Sequence, residues 1–256
     1  MKYNDRLFTL ATVVLAFAAV CGASLVAAEN ELCRAAIYRG PGASDTCAQA
    51  SLEILNSAPN CEAKFVSAEE IQHGALKDFD VVLFPGGTGS GERRALGESG
   101  WRELRAFLEN GGGYYGTCAG GYMALYSSER EEGRLINAEL HDDAWERGEK
   151  TLEIEMTEEG LDLFGKEFSG RLNVSYQNGP IIVPANYDKL EPYRVLAYFR
   201  TEVAENDSPV GVQIDSPAIA YGPYGKGRVL ICSPHPELTP NMNVLVPKLA
   251  RFAANK

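Results

Sequence analysis

The stretch Gly113-Tyr114-Tyr115-Gly116-Thr117-Cys118-Ala119-Gly120-Gly121 decides how this chain is read. Its first half reads as a short buried strand. Its second half is crowded with residues that lack bulk. A nucleophile at a tight strand-to-helix turn needs such neighbours, because its backbone is strained and its side chain must stand clear. Gly116, Ala119, Gly120 and Gly121 supply them around Cys118. A helix starting at the cysteine would point the positive end of its dipole at sulfur and favour the thiolate. Taken alone, the segment reads equally well as a glycine-rich turn around a buried cysteine, so the rest of the chain must decide.

Upstream, strand and helix patterns alternate. Ala35 to Tyr38 reads as a strand, followed by the turn Gly40-Pro41-Gly42-Ala43-Ser44-Asp45. A helix comes next, with Ala48, Leu52, Ile54 and Leu55 on its apolar side and Ser44 or Asp45 as cap. Ala63 to Val66 and Asp80 to Phe84 are further strands. Trp101, Leu104, Phe107 and Leu108 lie at helical spacing, and Asn110-Gly111-Gly112 ends that helix. Downstream the pattern is less regular. Ser127 to Glu149 reads as a charged loop, while Leu152 to Met156, Val174 to Val183 and Val195 to Phe199 read as strands. Residues 218–232 read as a hairpin and Asn241 to Ala254 as a closing helix. Alternating strands and helices predict a mostly parallel sheet covered on both faces.

Two other segments also follow strands, where an open α/β sheet gathers its functional groups. The first is Ser233-Pro234-His235-Pro236-Glu237. A cysteine nucleophile needs a base, and the base needs an orienting group. Residues two apart in an extended segment point the same way. His235 and Glu237 can therefore face one site, with the carboxylate on one ring nitrogen and sulfur near the other. The second is Pro85-Gly86-Gly87-Thr88-Gly89. Acyl transfer builds charge on a carbonyl oxygen, and backbone N–H groups must be aimed at it. The Gly87 and Ala119 N–H groups are the expected pair, with Gly86 as the alternate donor. No Gly-Lys-Ser/Thr follows, so the turn is not a P-loop.

The ends and the charge narrow the setting. Lys2 and Arg6 precede an apolar run from Leu7 to Val20, and Val26-Ala27-Ala28 resembles a small-residue cleavage site. Residues 1–28 are thus expected to be a secretory signal peptide, with a signal anchor as the alternative, and residues 29–256 one domain. Export places that domain in the periplasm or outside the cell. The 256-residue chain has net charge −11. This argues against a nucleic-acid partner, which needs a basic footprint, and against docking on anionic lipid once the signal is cleaved. Five cysteines follow the signal: Cys33, Cys47, Cys61, Cys118 and Cys232. An odd number in an oxidising compartment leaves one thiol unpaired in a monomer. Cys33 and Cys61 each precede a strand, so a Cys33–Cys61 disulfide is expected if those strands are neighbours. The cysteine spacings do not suggest a metal site, and no cofactor is expected.

Gly-Thr-Cys118-Ala-Gly-Gly, His235-Pro236-Glu237 and Gly86-Gly87 together resemble class I glutamine amidotransferases. The chain is most similar to the amidotransferase-like domain at the N-terminus of biotin–protein ligases, which also occurs as a free-standing bacterial protein. Tyr38 to Ser44 resembles that domain's opening turn, Phe84 to Gly87 and Gly116 to Gly120 its centre. Ala144-Trp145-Glu146-Arg147-Gly148 and Tyr176-Gln177-Asn178-Gly179-Pro180 are similar to segments of the bacterial forms. The resemblance implies a flavodoxin-like α/β fold and a Cys118-His235-Glu237 triad. It does not imply biotin ligation, since no Gly-Arg-Gly-Arg-type nucleotide loop is found. Ala119 stands where the related protease branch has His, which favours the amidotransferase kind of triad.

The expected reaction is hydrolysis of an amide or related acyl bond through a thioester, on a small or peptide-like substrate. Gly40, Pro41, Gly42, Tyr176 and Asn178 are candidates to line the pocket. A binding or scaffold protein on the same fold and a thiol redox sensor at Cys118 are the competing readings. His141-Asp142-Asp143 reads as a solvated acidic loop and His73 as a surface residue.

Overall fold

The structure is a computed structural model and describes residues 31–125, 134–141 and 146–256. The expected signal peptide, Asp142, Asp143, Ala144 and Trp145 lie outside the described residues. Among the described residues no helix is long and apolar enough to cross a membrane.

Five strands make a parallel half-sheet: β1 (Cys33–Tyr38), β2 (Cys61–Val66), β3 (Val81–Phe84), β4 (Gly113–Thr117) and β11 (Gly227–Cys232), in the order β2-β1-β3-β4-β11. This is the doubly wound, flavodoxin-like order, with β11 as its fifth strand. Helices α1 (Asp45–Ser57), α3 (Gly89–Glu109) and α4 (Ala119–Leu125) follow β1, β3 and β4, and α2 (Ala68–Gln72) follows β2. Ser44 caps α1 by accepting from the Cys47 N–H at 3.4 Å, a contact typically worth about 1 kcal/mol.

The sheet then changes character. Strands β10 (Pro217–Tyr224), β9 (Arg194–Phe199), β6 (Glu149–Met156) and β7 (Arg171–Gln177) continue it as an antiparallel half. Helix α5 (Glu158–Phe164) packs here, and α6 (Leu245–Ala253) packs under the parallel half. The stretch expected as one strand from Val174 to Val183 is broken. Asn178 takes a left-handed φ of 55°, which ends β7. Ile182–Pro184 forms β8, paired with β5 (Ala138–Leu140) in a separate two-stranded sheet. Among the described residues of 127–149, read as loop, Ala138–Leu140 is a short strand and Glu149 already opens β6.

Alternate residues of the parallel strands feed two cores. Ala35, Ile37, Leu83 and Tyr115 face one side with α6, while Ala36, Tyr38, Phe84 and Tyr114 face the other with α3. On that second side Tyr38 stacks on Phe84 (5.0 Å) and Phe84 on Tyr114 (5.4 Å). Offset aromatic pairs of this kind add about 0.5–1.5 kcal/mol each beyond burial. The hydroxyls at the two ends of the stack reach the loops above. Tyr38 donates to Pro41 O at 3.0 Å and Tyr114 to Gly120 O at 2.6 Å. One ladder in the core thus fixes two loops at the carboxyl edge of the sheet.

Candidate active site

Cys118 sits between β4 and α4 with φ 49°. A non-glycine residue in this region costs on the order of 1–3 kcal/mol and persists only where its surroundings over-determine it. They do here. The Cys118 N–H donates to Cys232 O at 2.9 Å, tying the ends of β4 and β11, and Cys118 O accepts from the Tyr122 N–H at 3.1 Å. A Cβ at residue 120 would fall 2.2 Å from Phe84 O, and one at residue 116 would fall 2.5 Å from Gly120 O. The glycines around the cysteine are there for close backbone approach. The thiol is 7% exposed and donates to Gln177 O at 3.3 Å.

The antiparallel half closes back on this edge. An isolated bridge pairs Ser175 of β7 with His235, whose N–H donates to Ser175 O at 2.8 Å. Thr239 clamps the same segment. Its hydroxyl donates to His235 O at 2.7 Å and accepts from the Ser175 N–H at 2.9 Å. Held this way, the His235 Nδ1–H donates to Glu237 Oε1 at 2.6 Å, with both side chains 2% exposed. His235 Nε2 is buried without a hydrogen-bond partner among the described residues. Burial is the largest influence on the ring and acts downward. Cys118, Cys47 and Glu237 outweigh it and push the pKa up to about 12. The sulfur of Cys118 is thus near enough to favour a protonated ring, yet its own proton points at Gln177 O.

The Gly86-Gly87 turn lies on the same side. Ser44 N–H donates to Gly86 O at 2.7 Å and Thr88 N–H to Gly42 O at 2.7 Å, stitching this turn to the one after β1. Gly87 has φ 143°, and a Cβ there would fall 2.1 Å from Gly42 O. Among the described residues neither the Gly87 nor the Ala119 N–H takes a backbone acceptor outside helices and strands. A Cβ at Gly86 would fall 2.6 Å from His235 Cε1, so this glycine is what lets the imidazole approach.

The remaining candidates separate into rim and support. Gly40, Pro41 and Gly42 form the turn joined to Gly87 and Thr88. Asn178 holds its corner with Oδ1 accepting from the Gly148 N–H at 2.7 Å, and its carbonyl accepts from Tyr122 at 3.0 Å. Tyr176 is wholly buried against Phe199 and donates to Gly179 O at 2.7 Å. It braces the corner from behind and presents no surface to a substrate. His73 lies at the end of α2 beside Glu69 O, as a surface residue would. Cys232 is buried, with its thiol pKa pushed well up by desolvation, then by Glu237 and Cys118. Cys33 and Cys61 stand opposite one another in the β1–β2 register as free thiols.

Two residues at this edge carry no motif in the sequence. Cys47, in the first turn of α1, places Sγ 3.9 Å from His235 Nδ1. Glu92, in the first turn of α3, is fully buried with neither carboxyl oxygen hydrogen-bonded. Desolvation and then Cys47 push its pKa well above the usual carboxylate range. Both read as ordinary helix residues, and only the packing of α1 and α3 against the loops brings them here.

Residues 33–140 match the family model described as "Biotin-protein ligase, N terminal". The biotin–protein ligase of Schizosaccharomyces pombe is 32% identical over 90 residues, which is 34% of this chain and 14% of the ligase. A pyridoxal 5'-phosphate synthase subunit PdxT of Haloquadratum walsbyi is 27% identical over 72% of this chain and 78% of its own length. Among solved structures, a ThuA-like protein of Bacteroides uniformis superposes with TM-score 0.59 at 15% identity, covering 86% of this chain and 91% of that one. The last likeness concerns the fold alone. The buried cluster of Cys47, His235 and Glu237, with Cys118 beside the ring, stands at the carboxyl edge of this sheet. By sequence and fold the chain is similar to class I glutamine amidotransferase-like proteins, and its residues 33–140 match the biotin-protein ligase N-terminal family model.

Proposed function

We infer that this protein is an exported cysteine hydrolase of amide or related acyl bonds, with Cys118 as nucleophile, His235 as acid and base, and Glu237 as the orienting carboxylate. The observation that carries the reading is His235. Its Nδ1 proton is committed to Glu237 at 2.6 Å, while Nε2 is buried and unclaimed beside Cys118. A buried polar atom without a partner is costly, on the order of 1–3 kcal/mol. Such cost is commonly retained where chemistry uses the atom.

In the proposed sequence Cys118 gives its proton to solvent as the sulfur turns from Gln177 O to the Nε2 proton of the charged ring, forming a thiolate–imidazolium pair. The thiolate adds to the substrate carbonyl carbon, and the Gly87 and Ala119 amides receive the oxyanion. The ring proton passes to the leaving nitrogen as the carbon–nitrogen bond breaks, giving a thioester and a free amine or ammonia. Water then attacks the thioester, His235 takes its proton, and the acid leaves as the thiolate re-forms. The substrate is a small or peptide-like amide that reaches the rim formed by Gly40 to Gly42 and Asn178. Residues 1–28 would direct the chain out of the cytoplasm.

The test is a library of glutamine, peptide and acyl amides, read by amine release and by intact mass. Turnover that vanishes in Cys118→Ala, with an acyl adduct on Cys118 trapped at short times, is the expected result. An adduct on any other residue, or turnover that survives Cys118→Ala, contradicts the assignment.

A further inference from the structure

We propose that Cys47, His235 and Glu237 form a binding site for a zinc-like divalent cation behind the nucleophile. Cys47 lies 188 residues before His235, and Glu237 two residues after it. One ligand atom from each nevertheless falls within 4.8 Å of the others, and all three residues are buried. Cys47 Sγ is 3.9 Å from Nδ1, and Glu237 Oε1 is 2.6 Å from it. The second carboxyl oxygen, Oε2, is buried without a partner. It is thus a ligand atom with no present use. Gly86 keeps the gap clear, since a Cβ there would fall 2.6 Å from His235 Cε1 and 3.0 Å from Cys47 Sγ.

The chemistry of the set selects the ion. Thiolate and imidazole suit zinc and its neighbours, whereas magnesium and calcium want oxygen. Zinc bonds of about 2.3 Å to sulfur and about 2.0–2.2 Å to nitrogen and oxygen place tetrahedral ligand atoms roughly 3.3–3.6 Å apart. Cys47 must close on the ring by a few tenths of an ångström, and Glu237 must open by roughly twice that or more, or turn Oε2 inward. Binding releases the Cys47 proton and the Nδ1 proton to solvent and changes no oxidation state. Three protein ligands leave a fourth position for water.

A metal on Nδ1 has one consequence for the triad. The remaining ring proton must sit on Nε2, so the ring is neutral and can no longer stand as a cation beside the Cys118 sulfur. It also loses the Glu237 hydrogen bond that supports its charge. The cation would thus switch the nucleophile off. That consequence rests on the proposed function, but the binding itself does not.

Cobalt(II) is the probe, titrated into the full, reduced chain and read by absorbance. The expected result is a one-to-one complex with tetrahedral d–d bands and a sulfur-to-cobalt charge-transfer band. The charge-transfer band should vanish in Cys47→Ala and persist in Cys118→Ala and in Cys61→Ser. Should Cys47→Ala fail to fold, Glu237→Gln should weaken cobalt by at least about tenfold. No band, a band lost only in Cys118→Ala, or a band lost only in Cys61→Ser overturns the proposal. Zinc should also slow labelling of Cys118 by a thiol probe, and a chelator should restore it. A cobalt band without that protection would leave the site standing and break the triad reading.

Discussion

The two halves of the sheet hold the candidate site in different ways. The parallel half supplies the reacting groups and the tight turns that present them: Cys118 after β4, Gly86 and Gly87 after β3, and His235 after β11. The antiparallel half supplies backbone. Gln177 O accepts the Cys118 thiol, Ser175 O accepts the His235 N–H, and Asn178 O accepts from Tyr122 of α4. The lesson is that reactivity and aim are separable. Side chains on one half do the proposed chemistry, and carbonyls on the other half decide where those side chains point at rest.

The comparison can be broken most severely on the side of the reacting groups. Loss of general-base help typically costs about 10²–10⁴ in rate, so Glu237→Gln should lower amide turnover by an amount in that range. Equal turnover in wild type and Glu237→Gln would show that Glu237 has no part in the chemistry.

A smaller effect is expected from packing. In Gly120→Ala the new Cβ would meet Phe84 O at 2.2 Å, and in Gly179→Ala it would meet Ser233 O at 2.1 Å. Each should lower stability by about 1–3 kcal/mol in chemical denaturation. The former strains the parallel half and the latter the seam between halves. If Gly179→Ala is neutral, the antiparallel half does not press on the His235 segment as described.

Asn178 sharpens the seam further. Its φ of 55° and its bond to the Gly148 N–H both favour asparagine. Asn178→Ala loses both and should cost about 1–2 kcal/mol. Asn178→Gly keeps the backbone freedom and should cost less. The reverse ranking in thermal melts would mean that the corner is held by something else.

The slope of stability with pH tests the charge on His235. Its pKa rises from 6.5 unfolded to about 12 folded. The native ring therefore holds a proton that the unfolded chain has lost above about 6.5. Stability from this residue is full below that pH and drains as pH rises toward 12, by at most about 1.4 kcal/mol per pH unit. Melts of wild type and His235→Gln between these limits should diverge with that sign. Parallel curves would place a neutral imidazole in the folded protein.

How much of this was legible in the sequence follows the same division. The parallel half announced itself because its strands are short apolar runs ending in glycine turns, and its reactive residues sit at those ends. The Gly116 to Gly121 cluster, Gly86-Gly87 and His235-Pro236-Glu237 all lie where they were expected. The antiparallel half was read as strands without an order, because backbone carbonyls leave no mark in residue type. Gln177 is invisible for that reason. Val174 to Val183 looked continuous since its apolar alternation does not register the left-handed turn at Asn178. Cys47 and Glu92 were missed because nothing in a helix's first turn tells which loop will fold over it. Cys33 and Cys61 are the converse case. The sequence left open whether their strands are neighbours, and the structure pairs β1 with β2 and sets the two cysteines opposite one another. Under oxidation by glutathione disulfide the pair is expected to join, read as a cross-linked peptide in a non-reducing digest.

The most direct measurement is the rate at which an electrophilic thiol probe labels Cys118 at near-neutral pH, in wild type and in His235→Ala. The account expects fast labelling of Cys118 in the wild type, none at that position in Cys118→Ala, and a clear slowing in His235→Ala. Equal rates in wild type and His235→Ala would contradict it, because the ring would then have no hold on the sulfur.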